Sequence, residues 1–263
     1  MNKKKASSLW FCSGIAVFLG IWKLAALLLD SEIILPSPEE AVKRLIVLIP
    51  TPVFLKSLAA SFARVMTGLL LAAPLGIATG LAAGINRRFD FFMRPFFTLI
   101  AATPVMSIIL IVFLWAGSEL TPVITAFLMV FPLVASNTRE AVCSLDERLL
   151  ELFSAFNMSR SEYVRYLYIP HAFSYISAAL KSSLSFSWKA VAAAEVLVQP
   201  VLAIGTGMQT AKANLETAGL FAWTIAAVIA ANLCEFLFSA ALKTVPKTVF
   251  PLHTPKSRRF SSV

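Results

Sequence analysis

Stretches of roughly 20 apolar residues recur along this chain and limit it to folds built across a lipid bilayer. Helices of that length cross the hydrocarbon core and satisfy their own backbone polar groups. The charged fraction is 14%, whereas a soluble domain carries about 25%. We therefore predict an all-α, polytopic membrane protein that forms one transmembrane domain over residues 1–263. The six spans are expected at about 9–29, 58–84, 96–115, 121–136, 173–198 and 219–242.

Positive charges are distributed unevenly among the segments that connect these spans. Alternate segments on one side hold fifteen Lys and Arg residues, and those on the other side hold four. Because cytoplasmic loops are enriched in Lys and Arg, the richer side and both termini are predicted to be cytoplasmic. The basic charge is thus a topology signal and does not indicate nucleic-acid binding. The apolar run at 9–29 is too long for the core of a signal peptide, so a retained span is expected.

The segment after the first span predicts a short helix. Ser37 and Glu40 form a capping box, and Pro38 occupies the first helical position. The helix is expected to run from Pro38 to about Leu48 and to end before Pro50. It either lies along the outer membrane surface or serves only as a connector.

Three glycines in the second span predict close helix packing. Gly76, Gly80 and Gly84 are four residues apart and share one helical face. Small residues at this spacing let two helix backbones approach each other closely. Another helical span is therefore the expected neighbour of this face, rather than a ligand.

The polar segment at 137–172, between the fourth and fifth spans, reads as two short amphipathic helices. Capping boxes begin at Ser144 and at Ser159. Asn157 stands between the helices, where a residue that tolerates a left-handed backbone is needed, and Pro170 ends the second helix. Such a unit could pack beneath its own bundle, lie on lipid headgroups or insert into a groove of a partner protein. The residue pattern leaves these three interpretations open.

Polar residues at membrane depth are candidates for a solute path, because they are costly in lipid. Lys189 and Glu195 lie deep in the fifth span, on different faces. Glu195 either lines the path or pairs with another span. In the third span Thr103, Pro104 and Ser107 interrupt an apolar helix, and Pro104 frees a backbone carbonyl that needs a partner. This patch either lines the path or marks a kinked packing helix.

Other ionisable residues in the spans have simpler explanations. Lys23, Arg64 and Lys181 lie near span ends, so their charged groups are expected to reach the membrane surface. Glu235 is expected to form a hydrogen bond or an ion pair with another helix.

The segment 151–170 carries the most specific motif of the chain. Glu151, Asn157, Leu167, Ile169 and Pro170 fall at the spacing E-A-A-x3-G-x9-I-x-L-P. This spacing resembles the EAA loop of permease subunits of ABC importers. The pieces LPSPEEAVKRL, FLWAGSEL and SFSWKAVAAAEVL resemble the nitrate, sulfonate and taurine branch of that family. The resemblance extends from about residue 33 to 242 and implies the type I ABC-importer permease fold.

The resemblance implies that this loop couples the chain to a separate cytosolic ATPase, whose groove would receive it. Leu152 and Phe153 stand where the motif has alanines, and Asn157 stands where it has glycine, which implies a differently shaped groove and a dedicated ATPase. The coupling residues implied are Glu151, Leu152, Phe153, Asn157, Ser159, Tyr163, Leu167 and Pro170.

The resemblance also implies that the chain lies in the bacterial cytoplasmic (inner) membrane and works with the other subunits of an importer. A second copy of the chain and an extracytoplasmic substrate-binding protein are expected partners. The solute would be a small organic or oxo-anion such as a sulfonate, taurine or nitrate, or a vitamin precursor. The chain contains no G-x-x-x-x-G-K-[ST] phosphate loop and no catalytic or metal-ligand set. We therefore predict that it is not an enzyme, that it binds no metal or cofactor, and that ATP and Mg²⁺ bind the ATPase.

Two other functions are compatible with a polytopic chain. A stand-alone secondary transporter or channel often has repeated halves with interrupted helices, but residues 9–115 and 121–242 show no convincing self-similarity. A membrane scaffold would recruit a cytosolic enzyme through the same loop. Co-purification of a stoichiometric ATPase separates the importer from both.

Overall fold

The computed structural model describes residues 3–145 and 169–244, and every regular element in these ranges is an α-helix. This confirms the all-α class. In chain order the helices are α1 (Lys3–Leu29), α2 (Pro38–Leu48), α3 (Pro52–Ile85), α4 (Arg87–Ala102), α5 (Val105–Cys143), α6 (Ile169–Val198), α7 (Ile204–Ala213) and α8 (Thr217–Thr244).

Within the described ranges, four helices are long and apolar enough to cross a membrane. The qualifying segments are Cys12–Leu29, Pro52–Ile85, Val105–Cys143 and Thr217–Leu242. α6 has 30 residues, which is ample length, but its three charged residues and six serines make it too polar to qualify. The count of six spans therefore remains a prediction.

The segment 96–115, predicted as one span, is instead divided between two helices. α4 ends at Ala102, and Thr103 and Pro104 are extended, with ψ angles of 128° and 133°. A residue before proline is driven out of the α region, and proline has no N–H to continue the helix. The sequence left open that Pro104 only kinks a continuous helix. In the structure the helix is interrupted completely at Thr103 and Pro104.

α5 contains a second interruption at Gly117. Its backbone angles, φ 68° and ψ −179°, fall in a region that is essentially restricted to glycine. This break divides α5 into residues 105–116 and 118–143. The predicted fourth span, 121–136, lies inside the second and longer part.

The small residues of α3 pack directly against the second part of α5. Ideal Cβ atoms at Gly68, Gly76 and Gly84 would lie 2.6–2.8 Å from side chains of Ala126, Val134 and Val142. The residue numbers of α3 and of α5 increase in the same direction along this contact, so the two helices run parallel. The chain between them must therefore travel back along the bundle, which α4 and the first part of α5 accomplish.

Helix α2 is confirmed with the predicted boundaries and capping box. Ser37 Oγ accepts a hydrogen bond from Glu40 N at 3.3 Å, and Glu40 Oε2 accepts one from Ser37 N at 2.8 Å. Arg44 of α2 forms an ion pair with Glu216, just before α8. The helix is thereby fixed to the same end of the bundle as the start of α8.

The bundle has two chemically different ends. We call the end that contains Arg64, Glu119 and Glu195 the network end. The opposite end, where α3 ends and α4 begins, contains Arg87 and Arg139 and is called the basic end. α6 starts at the basic end and finishes at the network end, so it runs opposite to α3.

We expect the Gly80→Ala variant to destabilise the fold by about 1–3 kcal/mol, the usual cost of overpacking. An added Cβ would lie 2.5 Å from the Ala135 carbonyl oxygen and 2.6 Å from Thr138 Cβ, so two backbones would have to separate. Chemical or thermal unfolding of the purified protein in detergent measures this loss. The control is Gly14→Ala, because nothing lies within 4 Å of its new Cβ. Equal stability of the two variants would contradict the packing argument.

Candidate functional site

A buried ion pair joins α3 to α6 at the network end. Arg64 Nη1 lies 3.0 Å from Glu195 Oε1, with Arg64 8% exposed and Glu195 fully buried. Ser61 Oγ lies 2.8 and 2.9 Å from the two carboxylate oxygens of Glu195 and can donate to either one. Burying two charges is costly unless further hydrogen bonds satisfy them. This pair has such partners on both sides.

The same groups cap α7 from outside. Its N-cap residue, Ala203, provides no side-chain hydrogen bond, although the first N–H groups of any helix lack internal partners. Ile204 N donates to Ser61 Oγ at 3.0 Å, and Gly205 N donates to Glu195 Oε2 at 3.2 Å. A carboxylate at this position also interacts favourably with the helix dipole. The start of α7 is therefore held by side chains of α3 and α6.

Glu119 extends the network to the break in α5 at Gly117. Its Oε2 accepts from Arg64 Nη2 at 2.5 Å, and its Oε1 accepts from Val201 N at 3.0 Å. Arg64 Nη1 also donates to the Leu202 carbonyl at 2.8 Å. One guanidinium thus ties together α3, α5, α6 and the loop before α7.

The network shows which groups Glu195 and Arg64 contact. Glu195 pairs with another helix, one of the two interpretations left open for it, and a place on the solute path stays a prediction. Arg64, predicted to lie near a span end, has its guanidinium held between two carboxylates and is not free to extend outward. The sequence contained a signal: Arg64 lies at helical spacing from Ser57, Ser61 and Gly68, on the small-residue face that packs inside the bundle.

The Thr103 patch borders an open cavity between α4, α5 and α6, which we call the α4–α6 cleft. Its volume is about 600 Å³, and Thr103, Ser136 and Phe186 line it. The Thr103 hydroxyl donates to the Leu99 carbonyl at 2.7 Å. Pro104 and Ser107 are exposed beside it without lining it.

Lys189 borders a second open cavity on the other side of α6, the α6–α8 cleft. Its volume is about 350 Å³. Glu235 of α8 also lines it, 3.2 Å from Lys181 Nζ and accepting from Ser185 Oγ at 2.8 Å. The predicted interhelical ion pair of Glu235 is thereby confirmed.

An acidic residue that the sequence gave no reason to select organises the basic end. Asp90, 5% exposed, lies in the first turn of α4. Its Oδ2 accepts from Arg94 and from Arg139 of α5, both at 2.9 Å. Burial raises the pKa of Asp90, but hydrogen bonds from the two arginines outweigh it, and the net pKa is lowered. The cluster joins α4 to the part of α5 that leads into the predicted coupling loop.

The predicted coupling residues lie largely outside the described ranges. This applies to Glu151, Leu152, Phe153, Asn157, Ser159, Tyr163 and Leu167. Pro170 is the second residue of α6, where a proline is compatible with a helix start. Ser144, which ends α5, has its Oγ 3.1 Å from His171 Nε2. The chain therefore leaves and re-enters the bundle at one point.

Comparison with known proteins gives a consistent family. Residues 72–246 match the model of the binding-protein-dependent transport system inner membrane component. The chain is 26% identical over 246 residues to the taurine transport system permease protein of Escherichia coli (strain K12), covering 91% of this chain and 88% of that protein. It is 26% identical over 245 residues to the nitrate import permease protein of Leptolyngbya laminosa, with 89% and 85% covered. It is 28% identical over 149 residues to the bicarbonate transport system permease protein of Synechococcus elongatus, with 56% and 53% covered.

We expect the Arg64→Met variant to lose about 3–5 kcal/mol of stability, because Glu195 would remain buried without its counter-charge. Combining it with Glu195→Gln should cost less than the sum of the single changes. Thermal unfolding in detergent measures these differences. Lys23→Met is the control: it breaks a half-exposed pair with Glu39 and should cost less than about 1 kcal/mol. Equal losses of stability in Arg64→Met and Lys23→Met would contradict the role assigned to the network.

We expect the contribution of Asp90 to depend on pH. Its pKa is lowered in the folded state, so this stability is fully present above the unfolded value of about 3.9 and is lost as pH falls through the folded pKa. The gap in unfolding midpoint between wild type and Asp90→Asn should therefore narrow below about pH 4. Glu140→Gln, at an exposed site on α5, is the control. A gap that is independent of pH would exclude the ionised carboxylate as the cause.

Proposed function

The chain belongs to the family of binding-protein-dependent transport system inner membrane components, and on this basis we propose that it is the membrane-spanning subunit of an ATP-driven importer of a small anion. The observation that carries the proposal is the family match over residues 72–246, a range that includes the Glu151-to-Pro170 spacing. The relatives are named for taurine, nitrate and bicarbonate transport. Each of these solutes carries an anionic group, which favours an organic or oxo-anion here.

In this proposal the segment 144–170 couples the chain to a separate cytosolic ATPase, which binds the ATP and Mg²⁺. Support comes from the 3.1 Å contact between Ser144 and His171. The two residues that flank the segment are thus held together at one point of the bundle, and an amphipathic helical segment that starts and ends there would suit a partner groove. The Asp90 cluster braces the helix that precedes this loop.

The proposed topology is a single domain with six crossings and the basic end in the cytoplasm. The positive-inside rule supports this orientation, since Arg87, Arg88, Arg94 and Arg139 are at the basic end. The parallel packing of α3 and residues 118–143 supports the return crossing between them. Both termini would then be cytoplasmic, in the inner membrane of a bacterium.

The remaining partners follow from the same assignment. A substrate-binding protein would deliver the solute at the network end, and a second copy of the chain would complete the path. A stand-alone transporter or channel is not favoured, because the family is named for transport that depends on a binding protein.

Co-purification tests the proposal. The tagged chain, expressed from its own locus and extracted in mild detergent, should retain a stoichiometric ABC ATPase. Glu151→Arg, or deletion of residues 148–166, should remove the ATPase and ATP-dependent uptake while the chain stays folded. Glu140→Arg makes the same charge change at an exposed position before the loop and should leave the complex intact. ATP-dependent uptake that survives the deletion would refute the coupling role.

A further inference from the structure

One face of α6, beside α8, carries polar side chains that remain exposed. Lys181, Ser182 and Lys189 are exposed on this face, and the two clefts lie on either side of it. Ionisable side chains within membrane segments face a bundle interior or a water-filled cavity, not lipid. This face must therefore border water or another protein surface.

Lys189 lies well inside α6, away from both ends of the helix. It lies nine residues before the end of α6 at Val198, about 14 Å along the helix axis. The start of α6 at Ile169 is about 30 Å away in the other direction. Both distances exceed the reach of a lysine side chain, so its charged group cannot reach either end of the helix.

The charge of Lys189 is not neutralised within the described residues. Lys181 and Glu235 compensate each other at 3.2 Å, and Glu195 is engaged by Arg64 on a different face of α6. No hydrogen bond or ion pair involves Lys189 in the ranges that the structure describes. The walls of the α6–α8 cleft carry Lys189 and Glu235, and because Glu235 is already paired with Lys181 outside the lining, Lys189 is the cation of the cleft without a described counter-charge.

We propose that Lys189 is an anion-binding residue of the solute path, located in the α6–α8 cleft. The polar groups that line this cleft with it are Ser185, Thr224 and Asn232. Its volume of about 350 Å³ is within the range of small-molecule sites. The ligand class is a small monovalent anion such as a sulfonate or an oxo-anion. This inference rests on the importer function proposed above, and it adds the residue that selects the charge of the solute.

Charged thiol reagents test this inference without knowledge of the natural solute. The full-length chain in membrane vesicles would carry Ala192→Cys, after replacement of Cys12, Cys143 and Cys234 by alanine. Ala192 lines the same cleft, one helical turn from Lys189. The probes are sulfonatoethyl methanethiosulfonate, itself a small alkyl sulfonate, and its cationic trimethylammonioethyl counterpart. The quantity measured is the ratio of their modification rates, in which any change in thiol reactivity cancels.

We expect the anionic reagent to be favoured, and the ratio to fall about tenfold with Lys189→Gln, since a nearby charge attracts one reagent and repels the other. Lys189→Arg should keep the ratio and controls for folding. Lys212→Gln, which removes an exposed charge of α7, should also keep it. A thiol that neither reagent modifies would show that water does not reach the cleft. A ratio of modification rates that does not change with Lys189→Gln would likewise overturn the proposal.

The outcome is separable from the importer assignment. If the ratio depends on Lys189 but the chain retains no ATPase, the result would support the anion site and refute the importer function. If the ATPase co-purifies but the ratio does not change with Lys189→Gln, the result would refute only the anion site.

Discussion

The buried pair between Arg64 and Glu195 determines how the network end is assembled. Each charge in such a pair costs several kcal/mol to remove from water, so the pair persists only if all its partners are positioned together. Ser61, Glu119 and the backbone of the loop before α7 complete it. α3, the broken helix α5, α6 and α7 therefore meet as one unit at this end.

Helix α6 connects the two regions to which we assign function. It begins at the point where the predicted coupling loop rejoins the bundle, beside Ser144, and it ends in the buried network at Glu195. Between these points its exposed face carries Lys189, with one open cleft on each side. A helix is a rigid element that transmits displacement along its length. α6 therefore joins the point where the chain re-enters the bundle to the buried network.

The features that the sequence predicted well are those set by neighbouring residues or by one helix face. The capping box at Ser37 defines α2 because its partners are three residues apart. The buried network could not be read in this way, since Ser61 and Glu195 are separated by 134 residues. Position along a span gave no indication that Arg64 forms these ion pairs, because depth alone does not say which face of the helix carries the charge. The helical face shared with Ser61 and Gly68 carries that information.

The apolarity of a helix and its functional importance diverge in this fold. α6 fails the hydropathy test that α1 passes, yet α6 contributes Glu195 to the network and Lys189 to the cleft, whereas α1 has few contacts with the bundle. A helix surrounded by lipid has to be apolar on its whole circumference. A helix that packs against protein on some faces and borders water on another needs apolar residues only where it is packed. Low mean hydropathy in a helix of sufficient length is thus a sequence signal for an element that packs against protein on some faces and is not surrounded by lipid.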